Sequence, residues 1–171
     1  MPKKEDLKKL KKLPYRRCAG VMLLNKQGRV WVGRRSQKWL QEVTPNVWQM
    51  PQGGIDRGET PKKAALRELY EETGAETVEI LAEYKGWLSY DLPDEALGVA
   101  LRGKYRGQRQ KWFVMRFLGD ESEFVIDGSN GHKPEFDKWK WVKMKKLPKL
   151  IAPFKREVYE QLLKEFKHLA K

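Results

Sequence analysis

The feature that most constrains this chain is a short acidic segment in an otherwise basic sequence. Residues 51–75, "PQGGIDRGETPKKAALRELYEETGA", hold four glutamates, whereas the whole chain has 36 Lys and Arg against 23 Asp and Glu and a formal net charge of +13. Like charges this close together repel one another unless a positive charge lies among them. The segment must therefore fold so that its carboxylates either face water or surround a cation.

The second half of the segment has the start and stop signals of an α-helix from Pro61 to Thr73. Thr60 is a typical N-cap, and proline suits the first turn because its missing N–H would have no partner there. Gly74 can adopt the left-handed conformation that commonly ends a helix. The sequence therefore predicts a helix with both ends defined.

Three carboxylates of this helix are predicted to share one face, because residues three and four apart lie above one another. They are Glu68, Glu71 and Glu72. Such a face is unfavourable in an isolated helix, but a hard divalent cation such as Mg²⁺ binds oxygen ligands and shares its shell with substrate phosphates. A solvated acidic face is the simpler interpretation of the three glutamates alone. The glycines before the helix, Gly53 and Gly54, favour a ligand site because they let backbone approach a ligand or metal closely.

One ion pair is expected to join the helix to the loop before it. Arg67 adjoins Glu68, and Glu59 lies just before the helix. Pairing between Arg67 and Glu59 would hold the loop against the helix, so both residues are candidates for the catalytic machinery.

Most of the remaining chain is predicted to form β-strands. "CAGVMLLN" and "RVWVGRR" flank the turn "KQG" and indicate a hairpin, and "VWQMPQGG" indicates a short strand that gives way to a loop. The stretch "SQKWLQEVTPN", residues 36–46, is typical of a surface loop. Four later runs are enriched in strand-forming residues: "VEILAEY", "GWLSYDL", "KWFVMRFL" and "WKWVKM".

The chain closes with a predicted helix from about Phe154 to Leu169. An apolar residue recurs at every fourth position, which gives the stripe Phe154, Val158, Leu162 and Phe166. Strands and helices mix without regular βαβ alternation, so we expect an α+β fold with a mixed β-sheet between α-helices. Residues 14–171 are expected to form a single domain.

Residues 1–13, "MPKKEDLKKLKKL", admit two interpretations. Leu7, Leu10 and Leu13 recur at helical spacing among lysines, as in a short basic amphipathic helix. A frayed basic N-terminal tail is the interpretation we favour, and Pro14 ends any helix that forms.

Composition argues against several other classes of protein. The single cysteine, Cys18, excludes an intrachain disulfide and is expected to be buried in its apolar stretch. His132 and His168 are the only histidines, so a Cys/His zinc site or a histidine-nucleophile enzyme is hard to build. No apolar run is long enough for a membrane helix and no secretion signal is evident, so we expect a cytoplasmic protein without a membrane partner. No obligate protein partner is evident either.

The spacing of the acidic segment resembles the Nudix box. Gly53 is followed after five residues by Glu59 and, after seven more, by the run "RELYEETGA", residues 67–75. The flanking stretches "WQMPQGGID", "WLSYDLP", "GQRQKWF", "PEFDKWKWV" and "FKREVY" resemble the bacterial RNA pyrophosphohydrolase and dinucleoside polyphosphate hydrolase branch of that family. The resemblance spans roughly residues 14–168, and it implies the Nudix fold and hydrolysis of a nucleoside diphosphate linked to another group.

The resemblance also implies two or more divalent cations, Mg²⁺ or Mn²⁺, held against the phosphate chain. Transferred residue by residue, it makes Glu68, Glu71 and Glu72 metal ligands, with a backbone carbonyl from Gly53. Glu135, in "PEFD", matches a glutamate that completes the site in this branch. Either Glu68 or Glu135 would accept the proton of a metal-bound water, and the sequence does not choose between them.

Cationic, polar and aromatic residues are expected to line the phosphate and base sites around this centre. The candidates are Arg34, Arg35, Tyr90, Gln108, Arg109, Lys111 and Phe154. The resemblance assigns Phe154 to base stacking, with Arg35 opposite, whereas the apolar stripe assigns it to the core. Both roles stay open at this point.

Three functions are compatible with these features. The first is removal of pyrophosphate from the 5′-triphosphate end of RNA to leave a 5′-monophosphate. The second is asymmetric cleavage of dinucleoside polyphosphates such as diadenosine tetra- or pentaphosphate to ATP and a mononucleotide. The basic surplus favours RNA, because a long polyanion gains more from a broad positive field. A non-catalytic RNA-binding module would be expected to have lost a box glutamate, and all are present.

Overall fold

The structure, a computed structural model, describes residues 3–36 and 47–170. The main elements of these residues, in chain order, are α1 (Lys4–Leu10), β1 (Tyr15–Leu24), β2 (Val30–Arg35), β3 (Trp48–Gln49), β4 (Gln52–Gly54), α2 (Pro61–Thr73), β5 (Val78–Glu83), β6 (Leu88–Asp91), β7 (Gly107–Phe117), β8 (Phe136–Val142), α3 (Leu147–Leu150) and α4 (Arg156–Phe166). The predicted strands and the two main helices are all present. The predicted loop at 36–46 lies outside the described residues except for Ser36.

The described strands form one mixed sheet of eight strands. Its path runs β3-β2-β1-β7-β5, with β4 paired to β1, β6 to β7 and β8 to β2. The centre is the parallel pair β1–β7, whose register runs from Tyr15 opposite Gly107 to Leu24 opposite Arg116. The other pairings are antiparallel, including the predicted hairpin of β1 and β2. The starts of β1 and β7 therefore lie side by side, next to β4.

The sheet separates two apolar cores, one under each main helix. Helix α2 places Ala64, Ala65 and Leu69 on one face of the sheet. Helix α4 places its buried apolar stripe, Val158, Leu162 and Phe166, on the other face. The expected mixed sheet between α-helices is confirmed. The predicted closing helix is α-helical only in its middle part, α4, and 3₁₀ turns at Pro153–Lys155 and Lys167–Leu169 form its two ends.

Helix α2 begins and ends as its sequence predicts. The Thr60 side chain accepts a hydrogen bond from the Lys63 backbone N–H at 3.2 Å, and Pro61 occupies the first turn. Gly74 ends the helix with a φ of 83°, in the left-handed region. These caps fix where the acidic face of the helix starts and stops.

The N-terminal segment is a helix rather than the frayed tail we favoured. Helix α1 has no buried residue, yet its Leu7 and Leu10 pack against the core beneath α4. Lys11 adds an ion pair with Asp94 at 3.6 Å. The spacing of the leucines in the sequence does not show that they pack against this core. The domain boundary at residue 14 stays a prediction.

Two predictions from composition concern burial and membrane spans. Cys18 is fully buried, as expected, and burial raises the pKa of its thiol to about 12. In the part of the chain that the structure describes, no helix combines the length and apolar character needed to cross a membrane.

Replacing Gly74 with alanine should destabilise the fold by more than its left-handed φ alone explains. The φ costs about 1–2 kcal/mol for a residue with a Cβ, and the added Cβ would also overlap the Glu123 carbonyl oxygen. Gly86→Ala is the matched control, because Gly86 has a φ of 92° but open space around its Cβ position. Urea denaturation should show a larger loss for Gly74→Ala. Equal losses would show that the Glu123 contact has no effect.

Candidate active site

Arg67 joins the loop before α2 to the acidic face of that helix. Its Nε and Nη2 donate to the two carboxylate oxygens of Glu59 at 2.8 and 2.9 Å, and Nη2 also donates to the Gly54 carbonyl at 2.8 Å. Nη1 donates to Glu68 at 2.8 Å and to Glu71 at 3.0 Å. The predicted pairing of Arg67 with Glu59 is confirmed, and it is bidentate, which is the strongest geometry for this ion pair.

This pairing changes the proton affinity of Glu59. The hydrogen bonds from Arg67 lower the pKa of Glu59 to about 2, against the opposing effect of burial. The carboxylate also accepts the Asp56 backbone N–H at 3.0 Å. Glu59 is therefore an anion at all ordinary pH values, and it fixes the turn that leads into α2.

Glu68 and Glu72 extend from α2 into a cleft that they share with Glu135. Burial raises the pKa of Glu68, and the Arg67 hydrogen bond opposes that shift. Burial, followed by the charges of Glu68 and Glu135, raises the pKa of Glu72 well above its usual range. The Gln52 backbone N–H donates to Glu72 at 3.0 Å. Three carboxylates thus lie close to one another at a partly buried position, and the compensating charge from the helix itself, Arg67, contacts Glu68.

Gly53 allows Glu68 to lie directly against the backbone of β4. A Cβ at residue 53 would overlap the Glu68 carboxylate. Only glycine therefore lets the Glu68 carboxylate lie this close to the backbone at residue 53. The contact explains physically why the segment has glycine at this position.

These groups line a cavity of about 320 Å³ that also has a basic wall. Arg16 comes from β1, Arg35 from the end of β2, and Lys155 from the turn before α4. Arg35 lies 3.7 Å from Glu135. Burial lowers the pKa of Lys155 to about 7, and the Arg35 charge acts in the same direction. The cavity therefore has carboxylates on the α2 side and cations on the sheet and α4 side.

Aromatic and amide side chains complete the cavity. The rings of Tyr90 and Phe154 lie 5.8 Å apart, and Lys155 Nζ lies 5.1 Å from the centre of the Tyr90 ring. Gln108 also lines the cavity and accepts a hydrogen bond from Gln110 Nε2 at 2.9 Å. Phe154 is half-buried and contacts both the cavity and the edge of the core. Its two predicted roles are therefore compatible.

Three predicted substrate-binding residues lie outside this cavity. Arg34 forms a bidentate pair with Asp137 at 2.7 and 3.0 Å. Arg109 lies over the ring of Trp87, at 5.1 Å from its centre. Lys111 donates to the backbone carbonyls of Tyr84 and Gly86. The reason is that side chains alternate between the two faces of a strand. Arg34 precedes the cavity residue Arg35 by one position, and Arg109 and Lys111 follow Gln108 by one and three positions. All three therefore point to the face opposite that of their cavity neighbour.

Sequence reasoning missed several residues that line the cavity, among them Arg16, Gln52, Lys133 and Lys155. Arg16 adjoins Arg17, and nothing local indicates which of the two faces the cavity. Lys155 directly follows Phe154, so its position was close to a recognised candidate. Gln52 contributes through its backbone N–H, which any residue but proline would supply.

The donor set fits a hard divalent cation. Glu68, Glu72 and Glu135 offer carboxylate oxygens, and Gly53 offers a backbone carbonyl, which are the ligand types that Mg²⁺ and Mn²⁺ prefer. Glu71 is turned toward Arg67. Among residues 3–36 and 47–170, no three carboxylate, imidazole or thiol groups are already close enough together to enclose an ion. After burial, the charges of Glu68 and Glu135 raise the pKa of Glu72, and a bound cation would offset that repulsion.

The comparisons with known proteins agree with the fold and the box. Residues 14–162 match the NUDIX domain, and the chain belongs to the Nudix family. It is 59% identical over 165 residues to a protein of Agrobacterium fabrum called RNA pyrophosphohydrolase, with 95% of this chain and 97% of that protein covered. A protein of the same name from Rhizobium meliloti is 55% identical over 162 residues, covering 93% and 97%.

A solved structure supports the same fold. The E. coli dihydroneopterin triphosphate pyrophosphohydrolase matches with a TM-score of 0.64 and 18% identity, over 89% of this chain and 99% of that one. At this identity the likeness concerns the fold alone. The Nudix resemblance and the Nudix fold are thereby confirmed.

The Glu59–Arg67 pair should make stability depend on pH in a defined direction. Because the folded pKa of Glu59 is lowered from 4.5 to about 2, its contribution is complete above pH 4.5 and is lost as the pH falls toward 2. Glu59→Gln should therefore lower the free energy of unfolding at pH 7, and its difference from the unmodified protein should shrink below pH 4.5. Denaturant titrations at several pH values measure this.

Glu160→Gln is the control for that experiment, because Glu160 is an exposed carboxylate of α4. It should change stability little at any pH. A Glu59→Gln deficit that stays constant between pH 7 and pH 3 would contradict the assignment of the pair.

Proposed function

We propose that this Nudix hydrolase removes pyrophosphate from the 5′-triphosphate end of RNA and leaves a 5′-monophosphate. The proposal is supported by relatives called RNA pyrophosphohydrolase that align with nearly the whole chain. The observation that carries it is the charge arrangement of the 320 Å³ cavity, where the carboxylates of α2 face a basic wall that includes Arg16, Arg35 and Lys155. A phosphate chain needs both: cations that bind its oxygens and carboxylates that can hold its metal ions.

The carboxylate side would hold Mg²⁺ or Mn²⁺. Glu68, Glu71, Glu72 and Glu135, with the backbone carbonyl of Gly53, are the proposed ligands. When bound, such ions screen the phosphate charge and lower the pKa of a coordinated water. Glu71 would have to share its carboxylate between that role and its hydrogen bond from Arg67.

The basic wall would bind the phosphate oxygens. Arg16 and Arg35 each present several guanidinium N–H donors to phosphate oxygens. Lys155, with a pKa of about 7, is more sensitive to its surroundings, and an added phosphate anion would favour its charged form. These three groups hold the phosphate chain across the cavity from the glutamates.

A general base would accept the proton of the attacking water. Glu68 and Glu135 both line the cavity and both stay candidates. Burial raises the pKa of Glu68 toward the range where a carboxylate is a more effective base. Glu135 lies 3.7 Å from Arg35 at the opposite wall of the same cavity. Arg67 and Glu59 act by positioning, since they fix Glu68 and the loop.

The 5′ nucleotide would lie on the aromatic wall. Phe154 offers a half-exposed ring beside Tyr90, and Arg35 ends β2 at the same cavity. Stacking of a base on an aromatic ring is worth about 1–3 kcal/mol and needs little sequence preference. This wall accounts for nucleotide binding without a dedicated base-reading site.

Glu72→Gln should abolish most of the activity while it leaves the fold intact. The substitution replaces the carboxylate with a neutral amide but keeps an oxygen that can accept the Gln52 N–H. We expect kcat for release of pyrophosphate or phosphate from triphosphorylated RNA, with Mg²⁺ or Mn²⁺, to fall about 10²-fold or more. Glu160→Gln is again the matched control. Activity unchanged by Glu72→Gln would refute the metal assignment.

A direct comparison of substrates tests the choice of RNA. We expect kcat/KM to be higher for a short triphosphorylated RNA than for diadenosine tetraphosphate, because RNA extends beyond the cavity onto a protein surface of net charge +13. The RNA reaction should also weaken more steeply as salt is raised. A higher kcat/KM for diadenosine tetraphosphate, with equal salt slopes, would favour the dinucleoside polyphosphate hydrolase instead.

A further inference from the structure

A row of exposed lysines leads away from the candidate active site along β8. Lys138 and Lys140 lie on this strand, and Lys143 and Lys145 follow it. Within residues 3–36 and 47–170, none of the four forms an ion pair. Lys140 lies over the ring of Trp48 at 4.1 Å. We call these four residues the β8 lysine track.

The track begins at the active-site cavity. Lys133 and Glu135 line that cavity, and β8 starts at the next residue, Phe136. Asp137 is the acidic residue of the strand, and it is paired with Arg34. The positive charge of the track is therefore not cancelled by its own strand.

The far end of the track opens into a second cavity of about 490 Å³. We call it the distal cavity. Its cationic side chains are Arg29, Lys143, Lys145 and Lys167, over an apolar floor that includes Met144 and Leu163. No carboxylate is among the described residues that line it. Cations around an apolar floor suit a ligand that joins phosphate to a flat ring, as a nucleotide does.

The track on β8 and the distal cavity lie on the α4 side of the sheet, and the active-site cavity reaches that side at Lys155. Lys140 is opposite Val32, which packs in the core beneath α4, so the two side chains share that face. Lys155, just before α4, lines the active-site cavity, and Leu163, near its end, lines the distal one. Eleven residues of α4 span about 16 Å, and the seven residues of β8 span about 23 Å.

Edge strands often carry lysines simply to prevent association with other strands. That role explains Lys138 and Lys140, since β8 pairs only with β2 among the described strands. It does not explain why the cations continue beyond the strand into a cavity without acidic residues. Charge complementarity along the whole path favours a polyanion that begins in the active site.

We propose that the β8 lysine track and the distal cavity bind the body of the RNA substrate, several nucleotides downstream of its 5′ end. This inference rests on the proposed function, and it adds a second binding region to it. The lysines contact successive phosphates, and the apolar floor of the distal cavity receives a base. Binding there is independent of sequence and sensitive to salt.

The test compares two four-lysine variants on two RNAs. The track variant is Lys138→Gln, Lys140→Gln, Lys143→Gln and Lys145→Gln. The control variant removes the same charge from α1 and its end: Lys4→Gln, Lys8→Gln, Lys9→Gln and Lys12→Gln, all exposed. The substrates are a triphosphorylated dinucleotide and an unstructured triphosphorylated RNA of about 20 nucleotides, longer than the ~4–16 nucleotides that one binding module commonly covers.

For the track variant, kcat/KM on the long RNA should fall about tenfold or more at low salt, with the dinucleotide reaction unchanged. The slope of log kcat/KM against log salt concentration on the long RNA should become less steep by about 0.7 for each lysine that contacts a phosphate, or about 3 for the four lysines together. The control variant should behave like the unmodified protein. Unchanged dinucleotide hydrolysis also shows that the track variant is folded.

Equal losses for both variants, or a track variant with full activity on the long RNA, would overturn the inference. Fluorescence anisotropy with a labelled RNA that carries a 5′-hydroxyl measures binding alone. It therefore distinguishes failure of this inference from failure of the proposed function. If the unmodified protein hydrolyses neither triphosphorylated RNA, the proposed function fails. The track is then judged by anisotropy alone, where only the track variant should bind more weakly.

Discussion

The guanidinium of Arg67 makes the contacts on which the geometry of the site depends. It is bound to both oxygens of Glu59 and to the Gly54 carbonyl, so it holds the loop before α2 against the helix. The same group contacts Glu68 and Glu71 and offsets part of their repulsion. Because Gly53 is adjacent to Gly54, the position of the backbone beside the Glu68 carboxylate follows from this network. A local ion pair thus sets the position of the residues proposed to hold metal.

The charge distribution of the molecule follows from the same arrangement. A protein of net charge +13 attracts polyanions to its whole surface, but it needs negative charge at one point to hold cations. Helix α2 supplies that negative charge from one side of the cavity. The strands and the turn before α4 supply Arg16, Arg35 and Lys155 from the other. Both sets line one cavity, and they meet where Arg35 lies 3.7 Å from Glu135.

The acidic segment could be predicted well from sequence because its interactions are local. The caps of α2, the common face of its glutamates and the Glu59–Arg67 pair all depend on residues within about one or two helical turns. The basic wall could not be predicted in the same way. Its members come from β1, β2 and the turn before α4, and a shift of one residue along a strand reverses the face.

The candidates that lie outside the cavity, and the lining residues that sequence analysis missed, show this limit. Arg35 and Gln108 line the cavity, whereas their neighbours Arg34 and Arg109 do not. Nothing in "VGRR" or "GQRQ" identifies the inward residue until the register of β2 and β7 is known. The helix α1 is a similar case, since its Leu7 and Leu10 pack against a part of the core that is distant in the sequence.

The central claim is that the carboxylates of α2 and Glu135 bind divalent ions that in turn bind linked phosphates. The most direct measurement is a crystal structure with Mn²⁺ and a non-hydrolysable nucleoside triphosphate, in which anomalous scattering locates the metal. We expect Mn²⁺ between the phosphate chain and the carboxylates of Glu68, Glu72 and Glu135. A bound triphosphate with these carboxylates facing solvent, and with no anomalous peak beside them, would contradict the claim.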